Sequence, residues 1–294
     1  MARTPAFVFG IAVLGIAVFS SMDAVMKGLV LAIGAYNTLL WRTAAGAILT
    51  GLIYLPRRTG WPSRSTMRVH LIRGAVSAVM AVTFFWGLAR VPMAQAIGLC
   101  FIAPLLALFG AGLLLKEKIP AQAVYASLIA FAGVGIIMWG QAVSAPSPDR
   151  FRGTVAILLS AVCYAYNIIL MRQQSLVAEP REVAFFQSII VGVILSMAAP
   201  FLAQVPDAHH APAIVLAAAL ATVSLMLLAW AYARGEANYL APTEYTGFIW
   251  AALWGWVVFH EPVATYTLAG AALIITGCLI AARRRTIENV EAAF

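Results

Sequence analysis

Apolar runs of about 20 residues alternate with short polar breaks along the whole chain. They fall at roughly 5–27, 36–55, 70–89, 93–115, 121–140, 153–171, 182–203, 212–232, 239–259 and 264–282. A helix rises 1.5 Å per residue, so each run is long enough to cross a hydrocarbon layer of about 30 Å. The pattern predicts ten transmembrane helices and leaves almost nothing for a soluble domain. Arg3 before the first run has the look of a secretory leader. That run is nevertheless long enough to span, lacks a clear small-residue cleavage pattern and is followed by nine more, so it is expected to remain as helix one.

Composition sharpens this into an all-α integral membrane protein. The chain has 294 residues, 63% hydrophobic and 10% charged, against globular norms of roughly 45–50% and about 25%. A net charge of +8 would point to nucleic acid in a soluble protein, but here its distribution matters more. With the amino terminus inside, the inner loops and helix ends carry Arg3, Arg57, Arg58, Arg64, Arg68, Arg73, Lys116, Lys118, Arg172, Arg181, Arg234, Arg283, Arg284 and Arg285. The outer set is Lys27, Arg90, Arg150 and Arg152. Fourteen against four fixes the expected orientation by the positive-inside rule, with both termini cytoplasmic. Cys100, Cys163 and Cys278 lie inside apolar runs with no paired spacing, so neither a disulfide framework nor a metal site is expected.

A constant offset of 144 runs through the sequence. It takes Trp86 to Trp230, Ala89-Arg90 to Ala233-Arg234, Ala107 to Ala251, Glu117 to Glu261, Gly133 to Gly277 and Asp23 to the near-isosteric Asn167. The chain therefore divides into two copies, 1–144 and 145–294, of five helices each. An odd number of spans makes the second copy enter from the opposite side, which is an inverted repeat. Glu117, between Lys116 and Lys118, then marks a helix end at the inner face, and Glu261 marks its mate outside.

With this arrangement, an acid closing helices four and nine, and the stretch YLAPTEYTGFIWAALWGWVVFHEP, the chain resembles the EamA-type members of the drug/metabolite transporter superfamily. It is similar in particular to bacterial amino-acid exporters, including the aromatic amino-acid branch. The resemblance implies a secondary transporter with no cofactor that exports a small metabolite, most simply an amino acid, by rocking one half against the other. Uptake of a vitamin or nucleotide-like metabolite, or a non-transporting scaffold or enzyme, are the competing readings. The expected partners are the small-molecule substrate and the lipid bilayer, with a monomer or weak dimer as the assembly.

Ionisable groups inside a bilayer need a partner or a watery cavity. Asp23 and Lys27 are four apart and able to pair along helix one, either as a structural pair or beside a substrate path. Arg42 is expected to snorkel outward. Glu244 sits at a bend prepared by Pro242 and Gly247, where it would take a cation, a substrate ammonium or a proton, or else meet Arg234 or the cytoplasmic headgroups. Gln95, Asn167 and Gln187 add neutral polar groups, and Trp86, Phe101, Tyr164, Trp230 and Tyr245 add aromatic ones. Helices five and ten, rich in Gly133, Gly135, Gly270 and Gly277, are expected to form a tight seam away from the cavity. Catalytic signatures are missing: His260-Glu261 lacks the second histidine of a zinc protease helix, and no Gly-rich phosphate loop occurs.

Overall fold

The computed structural model describes residues 5–57, 60–115, 121–144, 146–175, 177–232, 234, 240 and 243–291. Lys116, Glu117, Lys118 and Pro242 lie outside the described residues. Within them the protein is helical without strands. The first copy contains α1 (Pro5–Ile33), α2 (Ala35–Tyr54), α3 (Arg64–Leu88), α4 (Met93–Cys100), α5 (Ala103–Leu115) and α6 (Ala121–Ser144). The second contains α7 (Pro148–Ser175), α8 (Pro180–Ser196), α9 (Ala199–Leu202), α10 (Ala211–Tyr232), α11 (Thr246–Phe259) and α12 (Thr265–Glu291). Gly34, at φ 79°, alone joins α1 to α2, a backbone conformation that glycine adopts without strain.

Three expected spans differ from the sequence pattern. The fourth splits into α4 and α5 at Phe101–Ile102. Pro104 has no N–H to return to Cys100, so the ladder tightens there, with Ile102 N bonding Leu99 O at 3.3 Å. Pro200 does the same in span seven, dividing α8 from α9 at Met197–Ala198. In span nine a turn at Tyr245 precedes α11, which starts at Thr246 rather than near 239.

Solvation is inverted relative to a soluble protein. Leu52, Leu128, Trp139, Val143 and Val193 point outward, while Asp23, Lys27, His70, Gln95, Gln141, Asn167 and Gln174 are buried. By length and composition α1, α3, α6, α7 and the region 208–232 are able to span a membrane, and shorter apolar helices occur at 93–107, 246–259 and 265–280. Apolar surface of this extent is at home in lipid.

The offset of 144 reappears as geometry. A Cβ on Gly133 would lie 2.5 Å from Gly270 O, and one on Gly277 would lie 2.5 Å from Ala126 O. Since 133 maps to 277 and 126 to 270, these two approaches exchange under the repeat, as a two-fold axis requires. Whole helices obey the same rule: α1 packs on α10 as α7 packs on α3, and α1 on α11 as α7 on α5. The expected seam between spans five and ten is the α6–α12 contact, made inside one chain. The firmest pairings join helices of different copies and give the mixed bundles α1–α10–α11 and α3–α5–α7.

Candidate functional site

Two of the interrupted spans, four and nine, meet on the axis. Phe101 and Tyr245 are repeat mates, and their rings contact edge to face with centroids 5.3 Å apart. Each stands at the break of its span, so backbone irregularity of both copies coincides at one place. Ionisable and aromatic groups gather around it. Cys100, beside Phe101, lies within electrostatic reach of both Asp23 on α1 and Tyr164 on α7. Tyr164 in turn feels the carboxylate of Glu244 and the guanidinium of Arg73.

Repeat mates continue inward: Ser20 and Asp23 on α1 correspond to Tyr164 and Asn167 on α7. Asp23 is 1% exposed, and neither carboxylate oxygen has a hydrogen-bond partner. Its opposing charge is Arg42 on α2, whose Nε is also buried and unpartnered. Arg42 therefore faces inward instead of snorkelling. The expected pairing of Asp23 with Lys27 does not form either. Lys27 Nζ donates to Glu261 Oε1 at 2.5 Å and to Val91 O at 2.8 Å, and Met93 N donates to Glu261 Oε2 at 2.9 Å. Glu261 outcompetes Asp23 because it also satisfies the free N–H at the start of α4, one of the donors a helix end leaves over. It is aimed there by His260 in the left-handed conformation, which closes α11 with Glu261 N bonding Gly255 O at 3.0 Å.

Glu244 accepts a hydrogen bond from Tyr232 Oη at 3.1 Å and does not pair with Arg234. Arg234 instead lies over the Trp230 ring, 4.4 Å from its centroid, as Arg90 lies 3.5 Å over Trp86. Trp86 and Trp230 are thus matched platforms for arginines at the ends of α3 and α10. Gln95 is placed elsewhere, in a buried trio in which its Nε2 donates to Gln141 Oε1 at 2.7 Å and to Thr154 Oγ1 at 3.3 Å. Gln187 Oε1 is buried without a partner on α8, and its mate Thr43 on α2 shares that condition at Oγ1.

A chain that the sequence does not announce runs through α3, α7 and α8. Arg73 Nε donates to Asn167 Oδ1 at 3.1 Å and its NH1 to Gln174 Oε1. Since guanidinium only donates, Gln174 must turn its amide nitrogen to His70 Nδ1, 2.5 Å away. Nδ1 therefore accepts, which leaves Nε2–H to donate to Glu182 Oε1 at 3.0 Å. The signal was present as spacing: His70 and Arg73 are three apart on α3, and Asn167 and Gln174 are seven apart on α7. Outside the spans, hydrogen bonds from His209, its ring Nδ1 3.0 Å from Oδ1 and its backbone N–H, hold the Asp207 carboxylate below its ordinary range.

Comparison with known proteins agrees with this geometry. A sequence profile of the EamA-like transporter family matches the chain twice, over residues 7–139 and 151–283. The steps from 7 to 151 and from 139 to 283 are both 144, the repeat offset. The chain is 29% identical over 282 residues to the pseudopaline exporter CntI of Pseudomonas aeruginosa, covering 94% of this chain and 95% of that protein. It is 28% identical over 280 residues to a riboflavin transporter of Rhizobium johnstonii, covering 90% and 87%. An S-adenosylmethionine uptake transporter of Rickettsia bellii is 24% identical over 233 residues, covering 79% and 77%. A solved crystal structure shares the fold at TM-score 0.63 and 19% identity, over 94% of this chain and 97% of that one.

Proposed function

The chain belongs to the EamA-like transporter family and is a membrane transporter, and on that premise we propose that it exports a small amphipathic metabolite of the amino-acid class from the cytoplasm. The observation that carries the reading is the coincidence of the two helix breaks at Phe101 and Tyr245 with Asp23, Tyr164 and Glu244 around them. Discontinuous helices at a repeat interface expose backbone and side-chain polar groups at mid-depth, where a solute is held halfway across. Aromatic rings suit an apolar substrate side chain, and ionisable groups suit its charged end.

The cycle is alternating access by the two mixed bundles. The α1–α10–α11 bundle carries Lys27 and Glu261, which clasp Val91 and Met93 beside α4. That clasp closes one end of the path in this state. Glu244, whose one hydrogen bond among the described residues is to a phenol, is the candidate for proton coupling. The inner-membrane location with both termini cytoplasmic belongs to the same reading.

Purified protein in liposomes loaded with labelled amino acids tests it. Saturable efflux of at least one amino acid is the expected result. Saturable flux of riboflavin or S-adenosylmethionine with none for any amino acid would replace the reading by vitamin or nucleotide-like uptake, in line with those relatives.

A further inference from the structure

We propose that Asp23 and Arg42 form a divided charge site for a single zwitterion, Asp23 receiving the ammonium and Arg42 the carboxylate of one α-amino acid. This rests on the amino-acid reading above and assigns its charge recognition to two residues.

Their state is unusual among the buried polar groups of this protein. Lys27, Gln95, Gln141, Thr154, His70, Asn167 and Gln174 all have partners. The Asp23 oxygens and Arg42 Nε have none, although each charge acts on the other. No ion pair joins them. Opposite charges in a low-dielectric interior attract strongly, and a contact pair is their ordinary resolution. They stand on different helices: α1 packs on α10 and α11, α2 packs on α8 and α10, and the two helices also touch each other. A molecule carrying one charge of each sign satisfies both groups at once, which neither a simple cation nor a simple anion does.

The neighbouring unpartnered atoms fit the same guest. Ser20 Oγ lies one turn before Asp23. Trp250 and Trp254 on α11 also bury unpartnered indole N–H groups. α11 runs parallel to α1, since Ile16 meets Gly247 at one end and Lys27 meets Glu261 at the other. Both tryptophans and Asp23 therefore lie between those two anchor points. Indole supplies a donor for a carboxylate and an apolar face for a side chain.

The test uses the full chain in liposomes, with uptake of labelled L-phenylalanine competed by two analogues. Phenethylamine lacks the carboxylate, and 3-phenylpropionate lacks the ammonium. The wild-type protein is expected to prefer phenylalanine to either by at least ~10-fold, because a site built for a polar group rejects the analogue lacking it. Asp23→Asn should lose discrimination against 3-phenylpropionate and keep it against phenethylamine; Arg42→Gln should do the reverse. If a single variant leaves a lone charge that prevents folding, the double variant carries the test. It should melt within a few degrees of wild type in detergent yet lose saturable phenylalanine flux at least tenfold. Phenylalanine flux that persists in the double variant, or single variants that weaken all three ligands equally, would overturn this assignment while leaving amino-acid export standing. A wild-type chain that moves no amino acid would remove both.

Discussion

Which buried polar residues serve structure and which serve transport is decided by their partners. Gln95, Gln141 and Thr154 close a trio in which each member satisfies another. Replacing Gln141 by Leu should therefore cost about 1–3 kcal/mol, because the Thr154 hydroxyl loses its acceptor and Gln95 keeps only its bond to Thr154, read as a lower melting temperature in detergent with substrate affinity unchanged. Glu244 differs, since its one described hydrogen bond is to the phenol of Tyr232. Glu244→Gln should abolish the dependence of flux on a pH gradient while the protein still binds substrate; wild-type flux with the same gradient response would end its candidacy. Asp23, Tyr164, Asn167 and Glu244 were readable in the sequence because ionisable or amphipathic side chains in an apolar run demand an explanation. His70, Gln174 and Glu182 were not, because at a helix end the same residue types are ordinarily solvated.

At the level of elements, the glycines of α6 and α12 divide by what their missing Cβ would meet. Gly133 and Gly277 each abut a backbone oxygen at 2.5 Å, whereas Gly135 has nothing within 4 Å. Backbone cannot swing aside as a side chain can. Gly133→Val and Gly277→Val should each destabilise by about 1–3 kcal/mol, and Gly135→Ala should be near neutral, with thermal unfolding as the common measurement. Equal tolerance at all three positions would refute the close helix contact. The hydropathy pattern alone places the apolar runs but not their interruptions, which the prolines signalled, as at the bend expected beside Glu244. Hydropathy is blind to a proline such as Pro104 or Pro200, which leaves a segment apolar while removing the N–H that would continue the helix.

At the scale of the whole molecule, the clasp of Lys27, Glu261, Val91 and Met93 links the bundle of α1 and α11 to the start of α4. Lys27→Gln leaves Glu261 at 21% side-chain exposure, able to hydrate, so the variant should fold with the clasp weakened. A membrane-impermeant thiol reagent added outside should then modify Cys100, in a chain with Cys163 replaced by Ala, on the order of fivefold faster. An unchanged rate would show that the clasp does not gate that side. Fluorescent reporters that mature only in the cytoplasm should report from both termini, as the fourteen-to-four charge asymmetry requires.

The sequence by itself determined the number of apolar runs, the repeat step of 144 and the inverted relation of the copies. Periodicity, length and parity are properties of one-dimensional order and survive any packing. Only the tertiary structure decided that Lys27 belongs to Glu261 rather than to Asp23, that Arg42 turns inward, and that the firm bundles mix the two copies. Partner choice among buried charges depends on which helices lie side by side, and spacing along one helix cannot reveal an acceptor 234 residues away.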